Sequence, residues 1–280
     1  MLSDFEEQFR AFYNGIDEYV SSNVRPGRIG HGETACTANL LMCLDAAAPP
    51  DFLPFNAQTF CDELSAALRE SDIEEGFQFT LNAHGFNQNH EGAITQSDYA
   101  IRLTRRDNRE NNKTKPSSSV YFFQAKIMRP DDSFGIDTEQ DVKINILRQF
   151  IGHKHLSYVL YRPLQRGGMR LTIDPRQTPG ESWVDFMTEW ATGSIEDEGE
   201  PDSKPYQLRN ALLDNNPRAN DYIARQLGTD SRRWTTYKPA IIEIGLEYPV
   251  YKPKYKPVHT PAFSGGMMGG SATDTTEEDE

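Results

Sequence analysis

Cysteine is scarce in this chain: Cys36, Cys43 and Cys61 are the only three in 280 residues. The number is odd and no Cys-x-x-Cys pair occurs. This argues against a disulfide framework or a thiolate zinc site and points to a reducing cytoplasm. Long apolar runs are missing too, so no transmembrane helix and no membrane partner is expected. The opening segment Met1-Leu-Ser-Asp-Phe-Glu-Glu is acidic and lacks the basic-then-apolar order of a signal peptide. No Gly-x4-Gly-Lys-Ser/Thr phosphate loop, Gly-x-Ser-x-Gly elbow or His-Glu-x-x-His pair is present.

Positive charge is also in deficit, with a formal net charge of −13 and a mean hydropathy of −0.68. Taken alone, that balance argues against nucleic acid. Its placement weakens the objection, because ten of the 42 acids lie in two segments, 196–202 and 274–280. Between Arg102 and Lys115 stand six bases (Arg102, Arg105, Arg106, Arg109, Lys113, Lys115) against two acids. The local field, rather than the total charge, decides whether a phosphate backbone is attracted.

Periodicity predicts helices over 4–22, 32–46 and 56–70, then a strand over 77–81. Further strands are expected at 98–104 and 119–128, followed by a helix at 138–152 with Val142, Ile146 and Phe150 on one face and Leu147 and Ile151 beside them. Strands at 156–161 and 169–173 complete the core. A helix between two strands implies locally parallel pairing. The expected class is α/β, with a mixed central sheet flanked by helices. Residues 1–175 form the core in this reading. Residues 176–257 form a C-terminal α+β extension packed on it, with helices over 183–190 and 216–227 and a strand over 239–246. A disordered acidic tail occupies 258–280. Three Tyr-Lys-Pro repeats, beginning at Tyr237, Tyr251 and Tyr255, read as an extended segment wrapping the core, with stacking on nucleic acid as the alternative.

What the chain does have is a set of oxygen donors beside a lysine. Asp98 opens one strand, and Gln124 and Lys126 stand two apart on the next. On a strand, residues i and i+2 share a face. Asp98, the Gln124 side-chain oxygen and the Ala125 carbonyl can hold a hard divalent ion, while Lys126 can orient water and offset developing charge. That is chemistry suited to a phosphodiester. Histidines offer a competing set: His84 and His90 flank a loop with Asn87, Asn89 and Glu91. The ββα pattern of a histidine-and-asparagine nuclease is absent, however. His153 and His155 are read as surface residues.

The Asp98…Gln124-Ala-Lys126 pattern resembles the PD-(D/E)xK superfamily of restriction-endonuclease-like nucleases, in its Gln-x-Lys form. The resemblance covers roughly residues 30–162. It implies a restriction-endonuclease-like core, with Glu33 at the start of the second helix as the upstream acid. It also implies a polar residue on the helix after the lysine strand, Gln140 in preference to Gln149. The catalytic set implied is Asp98, Gln124, Lys126, Glu33 and Gln140. The metal ligands implied are Asp98, Gln124, Ala125 and Glu33, for Mg²⁺ with Mn²⁺ as substitute. The activity implied is DNA hydrolysis, endonucleolytic in preference, with DNA approaching over the 102–115 and 84–96 loops. Fold-level analogy adds an effector subunit of a prokaryotic anti-phage defence or restriction system, partnered by a sensor or ATPase subunit or by copies of itself. The alternative is a catalytically inactive nuclease-fold subunit that binds DNA or builds a larger complex.

Overall fold

The computed structural model describes residues 5–25, 32–44, 57–70, 77–86, 91–107, 117–174, 180–195 and 203–229. Its centre is a six-stranded mixed sheet in sequential order: β1 (Phe77–Gly85), β2 (Tyr99–Asp107), β3 (Ser117–Ile127), β4 (Leu156–Tyr161), β5 (Arg170–Thr172) and β6 (Glu181–Ser182). Every neighbouring pair is antiparallel except β3 and β4, which run parallel from Phe122↔Leu156 to Ile127↔Tyr161. Parallel pairing requires a crossover. It is supplied by the helix Thr138–Ile151, whose Asp137 cap accepts the Glu139 and Gln140 N–H groups at 2.8 and 3.1 Å.

Both faces of β3 are covered, which is why its sequence reads as a nearly continuous apolar run rather than an alternation. Tyr121, Phe123 and Ala125 enter one core with Tyr99, Ile101, Val159 and Tyr161. Val120, Phe122 and Met128 enter a second core with Ala100, Leu156, Tyr158 and Leu160. The first face carries α1 (Glu6–Ser22), α2 (Glu33–Cys43), α3 (Ala57–Glu70) and α5 (Trp183–Thr192). The second carries α4 (Thr138–Ile151), α6 (Lys204–Leu213) and α7 (Pro217–Leu227). The result is three layers, with helices on both sides of a sheet. Among the described residues, no helix is long and apolar enough to cross a membrane.

The elements expected over 98–104, 119–128, 138–152 and 156–161 appear within a few residues of those limits. Three expectations need correction. The buried face of α4 is Ile144, Leu147, Arg148 and Ile151, whereas Val142 is 54% exposed. Arg148 hides the true stripe from a reading of apolar residues: its guanidinium is buried and its Nε donates to the Leu156 carbonyl at 2.9 Å. His155 is not a surface residue. It is fully buried, with Nδ1 2.8 Å from the Val120 carbonyl and its ring 4.4 Å from that of Tyr121. β1 also continues past residue 81 to Gly85, placing His84 in the strand opposite Ala100. Helix α6 was not expected, although Ser203 caps it and Pro205 sits in its first turn. The Tyr-Lys-Pro repeats, the 239–246 strand and the acidic tail lie outside the described residues.

One buried acid ties α1 to the far end of the sheet. Asp17 accepts the Met169 N–H at 2.7 Å and the Ser21 hydroxyl at 2.9 Å. Burial pushes its carboxyl up, and these two hydrogen bonds act against that push. The preceding Gly168 has φ +72°, and a Cβ there would lie 1.9 Å from Asp17 Oδ2. Gly168→Ala is therefore expected to destabilise the fold by roughly 1–3 kcal/mol from backbone strain alone, with the Asp17 collision added. Urea unfolding measures this; a variant as stable as the native chain would show that the Asp17 tie is dispensable.

Candidate active site at the free edge of the third strand

The site is built where β2 leaves β3. Their ladder ends at Tyr99↔Phe123, with one further bond from Asp98 N–H to the Phe123 carbonyl at 2.9 Å. Beyond that point β3 continues alone on this edge. Its next two edge-facing donors, the N–H groups of Ala125 and Ile127, would be left without ladder partners, a costly state for buried backbone. Carboxylates take both. Asp98 Oδ2 accepts from Ala125 N–H at 2.6 Å, and Glu33 Oε1 accepts from Ile127 N–H at 3.3 Å. Glu33 is the first residue of α2, where the helix N-terminus favours an acid. Its other oxygen lies 3.6 Å from Lys126 Nζ, and the lysine side chain is only 12% exposed.

On the face shared by Gln124 and Lys126 the contacts are amide-mediated. Gln124 Nε2 donates to Asp98 Oδ2 at 2.7 Å, and Gln124 Oε1 accepts from Gln140 Nε2 at 3.1 Å. Gln140 stands in the first turn of α4, held there by the Asp137 cap. Thus Asp98, Gln124, Ala125, Lys126, Glu33 and Gln140 are all brought together. Gln149 is not: it lies near the other end of α4, where it lines an open groove with Phe150, Leu208 and Tyr222. Gln124 was expected to offer an oxygen to the Asp98 side but here offers its nitrogen.

Glu91 joins this set, and sequence reasoning had grouped it instead with the histidines. It opens a π-helical turn, Glu91–Thr95, immediately before β2, and receives the Gln140 amide at 3.5 Å. No spacing rule identifies it; the one available signal is an acid in a polar loop close to Asp98. His84, from the same histidine set, is buried elsewhere. Burial and the charge of Arg102 lower it to about 4, with Asp214 opposing. Arg102 itself pairs with Asp214. The side chains of Arg105 and Arg106, together with Arg109, Lys113, Lys115 and His90, lie outside the described residues.

The electrostatics show a cation deficit. Burial raises Asp98 to about 7, Glu91 and Glu33 add to the rise, and the Ala125 N–H and Lys126 act against it. Burial raises Glu91 as well, while Gln124, Lys126 and Gln140 favour its charged form. Three acids thus share one close lysine. A divalent ion would balance that charge, and an all-oxygen donor set suits Mg²⁺ or Mn²⁺. Among the described residues, no three His, Cys, Asp or Glu side chains are disposed to hold a metal by themselves. An ion here would therefore need the Gln124 and Ala125 oxygens as well as the acids. The carbonyl of Ala125 is suitably placed, since a strand residue directs its N–H and C=O to the same edge.

No family model, no curated protein and no solved structure matches this chain.

Asp98 gives a signed pH test. Its folded value is raised from the ordinary 3.8 to about 7, so the folded state holds the proton more tightly than the unfolded state. Its burial therefore costs nothing below about 4. That cost grows as pH rises and is fully present above about 7. Asp98→Asn escapes it. In EDTA, the variant should melt higher than the native chain at pH 8, and the gain should vanish towards pH 4. A gain over the native chain no larger at pH 8 than at pH 4 would contradict the charge assignment.

Proposed function

We propose that the chain is a metal-dependent deoxyribonuclease of the restriction-endonuclease-like class, hydrolysing phosphodiester bonds at the β3 edge. The observation that carries this reading is the pair of acids, Asp98 and Glu33, gripping the Ala125 and Ile127 N–H groups on either side of Lys126. Asp98, Glu33, the Ala125 carbonyl and a turned-over Gln124 amide would hold Mg²⁺ or Mn²⁺. Turning an amide by 180° exchanges oxygen for nitrogen in nearly the same place, and Gln140 turning with it keeps their mutual hydrogen bond while giving up its own contact to Glu91. Once bound, the ion would supply Lewis-acid polarisation of the phosphoryl oxygen and a more acidic bound water. Lys126 orients the attacking water and offsets charge as the phosphoryl group becomes more negative. Glu33, within ion-pair distance, holds Lys126 aimed. Gln140 and Glu91 fix the Gln124 amide from behind.

A second reading keeps the fold without the cleavage: a DNA-binding or scaffolding subunit. The Gln124 nitrogen turned towards Asp98 favours it, because that contact closes the site around a hydrogen bond rather than an ion. A cytoplasmic defence effector working with a sensor, an ATPase or further copies of itself belongs to the first reading by analogy alone.

Plasmid cleavage in Mg²⁺ separates the two. Lys126→Ala should cut about 10²–10³-fold more slowly than the native chain, and EDTA should abolish cutting. Equal rates for both proteins would remove Lys126 from the mechanism, and no cutting by either would favour the subunit reading. Independently of activity, Glu91→Gln should weaken Mn²⁺ binding about 10–100-fold by calorimetry. Unchanged Mn²⁺ affinity would confine Glu91 to packing.

A further inference from the structure

A second constellation lies beyond the C-terminal ends of β3 and β4 and takes no part in the site above. Two arginines converge on a single carboxylate oxygen. Arg162 Nη2 lies 3.3 Å and Arg166 Nη1 lies 3.1 Å from Asp132 Oδ1. Arg162 follows β4 directly and is two residues beyond Leu160, the register partner of Lys126. Two residues of strand span roughly 7 Å, so the guanidinium root lies one step along the sheet from the lysine. Asp132 sits in the turn that leads from β3 towards α4, the helix carrying Gln140. The constellation therefore joins the segment that leaves β3 to the segment that leaves β4, on the β4 side of the lysine strand.

Three features distinguish it from an ordinary surface ion pair. First, charge is unbalanced: two guanidiniums face one carboxylate. Second, Arg162 is only 8% exposed, and its Nε is buried with no hydrogen-bond partner, so a donor is held in reserve. Third, Asp132 adopts φ +61°, a left-handed conformation uncommon for a residue with a side chain. Asp132 N–H bonds the Arg129 carbonyl at 3.1 Å, and Arg129 N–H bonds that of Ser133 at 2.7 Å, so a tight turn presents the carboxylate to the arginines. The Asp132 and Arg166 side chains are 54% and 36% exposed, leaving this contact open to exchange with an anion from solvent.

We propose that Arg162 and Arg166 form a docking subsite for a backbone phosphate of the nucleic-acid substrate, with Asp132 occupying the anion position until substrate arrives. A phosphodiester brings two non-bridging oxygens where the carboxylate brings one to both arginines, and guanidinium forks match that geometry. The subsite lies on a different segment from the 102–115 loop, and it sets a threshold: substrate must outcompete a tethered acid. This inference rests on the nuclease reading for its ligand class but not for its geometry.

The test is binding of a short fluorescein-labelled DNA duplex to the full chain in EDTA, followed by anisotropy across a KCl series. Asp132→Asn keeps the shape and tolerates left-handed backbone while removing the charge. It should bind roughly 3–10-fold more tightly. Arg166→Gln should bind more weakly by a similar factor and lower the salt slope by about one. Both variants should melt close to the native chain. Unchanged affinity in either variant, or a native chain that fails to bind DNA at low salt, overturns the proposal. The nuclease reading is scored separately, by cleavage. Lys126-dependent cutting with DNA affinity indifferent to both changes would sink the subsite alone. Affinity shifts as expected without any metal-dependent cutting would sink hydrolysis alone.

Discussion

The site depends on an unfinished edge. A sheet strand that outruns its neighbour leaves N–H and C=O groups pointing at nothing, and buried backbone does not tolerate this. Here β3 outruns β2 by the stretch Ala125–Ile127, and acids from two distant segments complete it. Asp98 arrives because β2 begins there; Glu33 arrives because α2 begins over the same edge. The contacts that satisfy the backbone also gather negative charge around Lys126. Structure and candidate chemistry are one arrangement, which is why Asp98 stays in place although burial opposes its charge.

That arrangement has a cost elsewhere in the fold. Carboxylates in a confined space repel, and among the described residues Lys126 is the cation that lies close to them. The amides of Gln124 and Gln140 moderate the repulsion by bridging Asp98 and Glu91 without adding charge. A glutamate at position 124 would place a further acid between them. The glutamine therefore fits a site whose extra carboxylate comes from a neighbouring turn. Glu91 is that carboxylate.

Much of this was legible in the sequence because strands and crossover helices obey short periods. The β3 run Val120–Met128 and the α4 segment stood out, and with them the relation of Asp98, Gln124, Lys126 and Gln140. Glu33 was legible through its place at a helix start. Glu91 was not, because its turn has neither period and its partners come from 33 and 49 residues further along the chain. The α4 stripe was misread for a related reason: Arg148 occupies a core position by bonding a backbone carbonyl, which no hydropathy pattern records. Asp132 is a third case. Its role depends on one left-handed residue and two arginines placed by β4 and the turn after it.

The two helical layers contribute to the edge from opposite sides. Glu33 belongs to a helix packed on one face of the sheet, and Gln140 to a helix packed on the other. Neither layer alone can assemble the full set, and the contacts joining them to β3 span up to 94 residues of chain. A chain in which either layer is undocked holds Asp98 and Lys126 without the full set. A half-folded molecule thus carries the parts without the centre. For a protein whose proposed substrate is DNA, the need for both layers would itself act as a safeguard.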